Sequence, residues 1–430
     1  MTFYEHAAAA EEAGFRPCRR CRPDAAPSTP AWSGTAAVVS RALRLIDDGA
    51  LDQGDVDDLA RRVGMGSRHL RRLFLTHVGA APIVVAQTRR LHVARTLVES
   101  TTLPITQIAL GSGFASLRRF NASFLETYGL SPTALRSNRR PVLSDRIELR
   151  LAYRPPLDWA GLLEFLRARA IEGVEIVDED SYARTITIGD ARGALRVRHA
   201  ARGYTLIATV PTSFATSIRA VAEQVRRLFD LGADPLTVAD HLGRDPVLRS
   251  VIAERPGIRV PGCWSPFELA ARAIVGQQVS VSGARTVLGR IAATHGDAID
   301  TGVEGLNRLF PGPEKLARAS IAGMPRKRAE AIGGLASAVL TSGAILNSGA
   351  SLEQSIELLT ALPGVGPWTA QYIAMRALGE PDAFPHGDLG LRKAAGNNGI
   401  LSAAELSKRS ESWRPWRAYA AMMLWQRLSM

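Results

Sequence analysis

Apolar residues recur at helical spacing through residues 36–142, alternate with polar ones between about 147 and 210, and return to helical spacing from Ser213 onward. The alternating runs Ile147–Leu151, Ala183–Ile188, Ala194–His199 and Thr205–Val210 predict strands with one buried face. Ser213–Phe229 opens a second long helical region, broken by Gly and Pro turns, which includes a long amphipathic helix over Phe267–Ser280 and another over Trp368–Leu378. The stretch Ala25–Pro30 reads as a short linker ahead of all these elements.

The first helical block hides a repeat. Leu70, Phe74, Gly79 and Pro82 return as Phe120, Phe124, Gly129 and Pro132 fifty positions later, and Leu59, Ala60 and Ser67 return as Ile108, Ala109 and Ser116 forty-nine later. Two copies of one supersecondary unit follow. Each has an apolar helix (Val56–Val63, then Ile105–Leu110), a Gly-containing turn and a Ser-started helix rich in Arg, which is the helix-turn-helix order. Ser67 and Ser116 are placed to cap those second helices. Arg68, His69, Arg71 and Arg72 in one copy, and Leu117, Arg118, Arg119 and Asn121 in the other, can then face a DNA major groove. One copy alone would read as a packed hairpin with a solvated basic face; the duplication favours DNA.

Charge sharpens this picture. The net charge is +12, and residues 36–142 hold 15 Arg against 8 acidic side chains, so the basic excess is densest there. At 430 residues the chain exceeds one hydrophobic core. No run approaches the roughly 18–20 apolar residues of a membrane span, and the first residues lack a secretory pattern. The expectation is a cytoplasmic protein with no membrane partner. Three cysteines exclude a disulfide framework. Cys18 and Cys21 form a C-x-x-C that can hold zinc, although a structural zinc takes four ligands and His6 is the one further candidate nearby. A metal-free pair is the competing reading. Cys263 reads as a packed core residue.

The C-terminal region holds the candidate chemistry. In Leu362-Pro-Gly-Val-Gly-Pro-Trp368, Gly364, Val365 and Gly366 form a tight hairpin whose bare amides can approach a DNA phosphate. Asp388 follows Gly364 by 24 residues, enough for one helix and a returning loop to bring it over the clamped strand. A carboxylate there can stabilise positive charge on C1′ as an N-glycosidic bond breaks, or orient the attacking water. No second acid is needed when the leaving base is a cationic alkylated purine, because that base departs neutral. Trp368, Tyr372, Trp413, Trp416, Tyr419 and Trp425 gather in the C-terminal part of this otherwise aromatic-poor chain and suit stacking on a flipped base, although for any single one a core position is the favoured reading. Gln277 and Gln278 end the Phe267–Ser280 helix in a polar pair that can enter a groove or remain ordinary helix surface.

These residues carry three resemblances. Residues 36–142, ending in Gly129-Leu-Ser-Pro-Thr-Ala-Leu-Arg136, resemble the AraC-type double helix-turn-helix domain, with Pro82–Val98 as its long connecting helix. Phe15-Arg-Pro-Cys-Arg-Arg-Cys-Arg-Pro-Asp24 resembles the second half of the Ada-type zinc domain. That family's upstream cysteine pair completes the zinc site and accepts a methyl group. This chain starts after it, so residues 1–30 read as a remnant and methyl transfer is not expected. Residues 143–430 resemble the helix-hairpin-helix DNA glycosylases, and within them 3-methyladenine DNA glycosylase II, through the hairpin, Met324–Ala331 and Trp413–Ala420.

The resemblance implies a multidomain chain with an all-α double helix-turn-helix domain at 36–142, a small α+β domain at 143–212 and an all-α helix-hairpin-helix catalytic domain at 213–430. It implies Asp388 as the catalytic aspartate, Trp368, Tyr372 and Trp425 as base-pocket aromatics, and Gly364, Val365 and Gly366 as the phosphate hairpin. Gln278 falls on the DNA-wedge position, where that family has leucine, and Leu389 replaces an aromatic. Bifunctional members carry a lysine where this chain has Trp368, so the activity expected is monofunctional. No cofactor is expected for catalysis. Expected partners are double-stranded DNA, both damaged and promoter, and RNA polymerase. The rival reading is a transcription regulator whose C-terminal half senses damage without catalysis.

Overall fold

The computed structural model describes residues 7–15, 35–137, 145–346, 349–396 and 399–428. Cys18, Cys21 and His6 lie outside the described residues. The chain forms two compact units, one of residues 1–153 with 186–226 and the other of residues 154–185 with 227–430.

In the first unit both copies of the repeat fold as helix-turn-helix pairs. The first copy is α1 (Val56–Arg62) and α2 (Ser67–His77), the long connecting helix is α3 (Pro82–Ser100), and the second copy is α4 (Ile105–Gly111) and α5 (Leu117–Tyr128). The repeated apolar residues are its core, since Leu59, Leu70 and Phe74 are buried in one copy and Ile108, Phe120 and Phe124 in the other. Ser116 caps α5 by accepting from the Arg119 amide, and Gly129 ends that helix in the left-handed conformation at φ 67°. Ser67, in contrast, is not a cap. Gly66 occupies that position and Ser67 is the first helical residue, without a side-chain cap bond. The helix starts, Ser67 and Leu117, are fifty apart like the apolar positions, so the serine match at forty-nine is one residue out of structural register.

The same unit takes in β1 (Arg146–Ala152), β4 (Ala191–His199) and β5 (Thr205–Pro211), with β5 antiparallel to both others. Ile147, Leu149 and Leu151 alternate inward along β1. The 3-10 turn Thr212–Ser217 and the start of helix Ile218–Leu228 also belong here. Arg219 donates to the Asp47 carbonyl at 3.0 Å and pairs with Asp52, which also accepts from Arg90 at 3.1 Å. Gly111 lies so close to the turn that a Cβ would sit 2.5 Å from the Ala215 carbonyl oxygen.

The second unit contains β2 (Glu175–Val177) and the first part of β3 (Ser181–Ile188), up to Thr185, with Glu175–Val177 antiparallel to Tyr182–Arg184. β2, a three-residue strand, is too short to leave an alternation signal. Helix α6 (Trp159–Arg167) precedes β2, and α7 (Pro266–Val275), α8 (Arg326–Thr341), α9 (Pro367–Arg376), α10 (Leu389–Ala395) and α11 (Arg417–Arg427) are the helices around the site. The helix expected over Phe267–Ser280 stops at Val275: Gly276 closes it, and Ser280 caps a new helix at Val281–His295. Two apolar clusters hold the unit together, one around Phe384, Trp413 and Tyr419, the other around Phe267, Leu335 and Ile373. Trp413 and Tyr419 are core residues, and their polar ends go to Asp245 and Asp230. Among the described residues no helix is long and apolar enough to cross a membrane.

Candidate active site

A cleft of about 1550 Å³ lies within the second unit, lined by residues of both apolar clusters, such as Ala273 and Val365 from one and Trp425 from the other. The predicted hairpin forms one wall. Gly364 has φ +82°, and a Cβ there would also meet the Ala331 Cβ at 2.7 Å, so both the backbone and the neighbour require glycine. Gly366 is the N-cap of α9, exposed and with nothing within 4 Å of where a Cβ would be. The amide-bearing start of α9 is therefore open at that point, while Val365 is buried and anchors the turn.

Asp388 also lines the cleft, and three donors hold it. It is the N-cap of α10: Oδ1 accepts from the Leu391 amide at 2.9 Å. Trp425 Nε1 donates to the same oxygen at 3.1 Å, and Trp368 Nε1 donates to Oδ2 at 2.9 Å. Three donors meet its two oxygens and fix the direction of the carboxylate. Gly390 makes room for this arrangement, because a Cβ there would lie 3.0 Å from Asp388 Oδ1 and 3.6 Å from the Trp425 ring.

Trp368 stacks on Tyr372 with ring centroids 5.3 Å apart and planes 10° apart, and Trp425 meets Tyr372 edge-on at 6.1 Å. The structure thus brings together all three predicted base-pocket aromatics and the aspartate. Two residues that the sequence did not reveal fix the tyrosine. Arg376 Nη1 donates to the Tyr372 hydroxyl at 2.7 Å, and Arg169 also bonds it. Burial raises the Tyr372 phenol, but the two guanidiniums, Arg376 first, outweigh it and leave it below the ordinary phenol value. Arg376 is four residues after Tyr372 on α9, a spacing visible in the chain; Arg169 comes from more than two hundred residues upstream and leaves no local signal.

Beneath the cleft lies a buried ion network. Glu268 of α7 pairs with Arg184 at 2.7 Å and Arg272 at 2.5 Å, and Arg272 reaches Glu175 at 2.6 Å. Burial pushes Glu268 up, yet Arg184 and Arg272 overcome it and bring it to about 2. Cys263, also facing the cleft, has its thiol pushed by burial up to about 12, as suits an inert packed residue.

The glutamines divide. Gln277 donates to the Gly364 carbonyl and the Thr369 hydroxyl, both at 2.9 Å, and so ties the turn after α7 to the hairpin. Gln278 is exposed at the cleft edge with φ +55°, unusual for a side-chain-bearing residue. In the first unit Arg68, His69, Arg71, Arg72, Leu117, Arg118, Arg119 and Asn121 are all exposed on α2 and α5. Among the described residues no cluster of potential metal ligands occurs.

A carboxylate clamped by indoles beside a glycine hairpin, in a mostly helical fold, defines a class. The fold is that of solved DNA glycosylases: it matches a 3-methyladenine DNA glycosylase from Archaeoglobus fulgidus with a TM-score of 0.55 and 23% identity, over 64% of this chain and 96% of that one. A family model for the AlkA N-terminal domain matches residues 148–265, one for a helix-turn-helix domain residues 59–138, and one for the metal-binding domain of Ada residues 1–24. A Mycobacterium tuberculosis protein named as a probable bifunctional transcriptional activator and DNA repair enzyme AlkA is 39% identical over all of this chain and 88% of its own length. DNA-3-methyladenine glycosylase 2 of Escherichia coli is 35% identical over 64% of this chain and 95% of its own. The chain belongs to the AlkA family of bifunctional transcriptional activators and DNA repair enzymes.

Proposed function

We propose that the second unit is a monofunctional glycosylase that releases alkylated bases such as 3-methyladenine from double-stranded DNA, with Asp388 as its catalytic residue. The observation that carries this reading is the Asp388 carboxylate, held in place by Trp368, Trp425 and the Leu391 amide at an aromatic cleft. The flipped base lies against Trp368, Tyr372 and Trp425, whose electron-rich faces attract a cationic purine. Gly364, Val365 and Gly366 hold the phosphate, and Gln278 at the cleft edge enters the space the base vacates. The bond from C1′ to the base nitrogen breaks with its electron pair on the base, which leaves neutral. Asp388 stabilises the positive charge on the sugar. Water adds at C1′ and its surplus proton passes to solvent. Trp368 at the lysine position leaves no amine for a Schiff base.

The first unit, by the same proposal, reads promoter DNA through the exposed residues of α2 and α5 and acts on RNA polymerase. The same proposal keeps the domain limits 36–142, 143–212 and 213–430, although the compact units divide the chain differently within 143–226. Cys18 and Cys21 supply two thiolates to zinc, half of the four ligands a structural site takes; zinc per chain in the purified protein checks this.

The deciding experiment measures free bases released from methylated DNA by the wild type and by Asp388→Asn. The expected loss is about 10²–10³-fold, the scale for removing a preorganised charge, with abasic sites that break only under alkali. Unchanged release by Asp388→Asn would sink the mechanism, and no release by the wild type would leave a damage sensor.

A further inference from the structure

The reading helices share a feature that their positive charge does not explain. On α2 the exposed residues Arg68, Arg71, Arg72 and Leu75 are spaced i, i+3, i+4, i+7 and so form one face. On α5 the residues fifty positions later, Arg118, Asn121, Ala122 and Leu125, are exposed on the same face. Two identities recur on these faces: arginine at 68 and 118, and leucine at 75 and 125. Leu75 is 56% exposed and Leu125 52%, although each directly follows a phenylalanine that is fully buried. A solvated face gains nothing from a large apolar side chain among guanidiniums, and the core already has its own residues. DNA offers one apolar group to a helix lying in its major groove, the thymine C5-methyl. The surrounding arginines fit the phosphates that flank that groove.

We propose that Leu75 and Leu125 are specificity-determining residues, each packing on a thymine methyl in the DNA site of its own helix-turn-helix copy. This rests on the reading of α2 and α5 as groove-facing helices, and adds a chemical identity to the bases they select: a thymine at equivalent places in two half-sites, one for each copy. The arginines supply binding, and the leucines discriminate a methylated pyrimidine from an unmethylated one.

The test uses the full chain and the duplex it enriches from a random pool. Each thymine of that duplex is replaced in turn by deoxyuridine, which removes only the methyl group. Wild type is expected to bind about fourfold more weakly when either of two thymines is changed, the factor that burial of one methyl provides. Leu75→Ala abolishes the sensitivity at one of them and Leu125→Ala at the other; Leu75→Gln and Leu125→Gln do the same. Arg71→Ala and Arg118→Ala weaken thymine and uracil duplexes alike, which separates loss of DNA reading from loss of methyl recognition. Unchanged helical circular dichroism and melting temperature of the same preparations confirm that the variants are folded. The proposal is overturned if every uracil duplex binds like its parent, or if the leucine variants keep wild-type sensitivity. It is also overturned if they alter only self-association, or if no sequence is enriched.

Discussion

The reading helices of the first unit and the core of the second use the same side chain in opposite ways. In the first, Arg68, Arg71, Arg72, Arg118 and Arg119 stand exposed on two short helices. In the second, Arg184, Arg259 and Arg376 are at most 5% exposed, and their donors are spent on Glu268, on the carbonyls of Arg154, Pro156 and Ala233, and on the carbonyls of Pro261 and Gly262. A guanidinium in water keeps its donors free for a phosphate or a base edge. A buried one needs partners that offset the loss of water, and then serves as a rigid strut. The exposed faces of α2 and α5 form a surface whose function can change without stability; the second unit holds a site whose stability and geometry are one property.

That contrast can be broken at its strongest point. Arg184→Ala strips Glu268 of one of two buried partners, and the expected cost is about 3–5 kcal/mol in denaturant unfolding of the full chain, with base release falling as the floor of the cleft loosens. A cost no larger than that of a surface arginine would erase the distinction. Arg118→Ala tests the other side. Its melting temperature should match the wild type, while affinity for the enriched duplex falls by about 1–3 kcal/mol, measured by footprinting.

The smallest effect concerns a buried acid whose cation does not fully compensate it. Burial raises Asp230 from its ordinary 3.8 to about 6, and Arg259, Tyr419 and the Val260 amide offset this only in part. Because the folded value is the higher one, the stability linked to its proton is complete below about pH 4 and is lost as pH rises through 6. Asp230→Asn keeps an acceptor for Tyr419 and Val260, so it should melt a few degrees above wild type at pH 7.5 and show no advantage at pH 4.5. Glu268 runs the other way: its contribution is present above the ordinary 4.5 and is lost as pH falls through about 2. Melting curves of both proteins across this range sharpen the difference between a well-paired buried charge and a poorly paired one.

Much of the molecule was legible in local pattern. The fifty-residue echo of Leu70, Phe74 and Gly79 marked two helix-turn-helix copies, because a repeated fold has to bury the same positions twice. The strands at 147 and 194 followed from alternation, since each has one face inward, whereas β3 is buried on both faces from Ser181 to Ile186, against the single buried face expected there. Where a pattern is too short or ambiguous the reading slipped, as at β2, at the break after Val275, and at Ser67, whose match to Ser116 concealed a one-residue shift.

By itself, the sequence determined the elements, the glycine hairpin, the aspartate and the aromatics, for these rest on backbone conformations and spacings set within a few turns of chain. Only the tertiary structure decided what those residues do to one another. Trp368 and Trp425 lie 20 and 37 positions from Asp388, yet their indole N–H groups meet its two oxygens. Arg169 and Arg376 converge on Tyr372, Arg184 reaches Glu268 across 84 positions, and Arg219 joins Asp52 across 167. Such contacts have no period to be read. They are fixed by where packed helices bring distant side chains, and by the cost of leaving a buried charge without a partner.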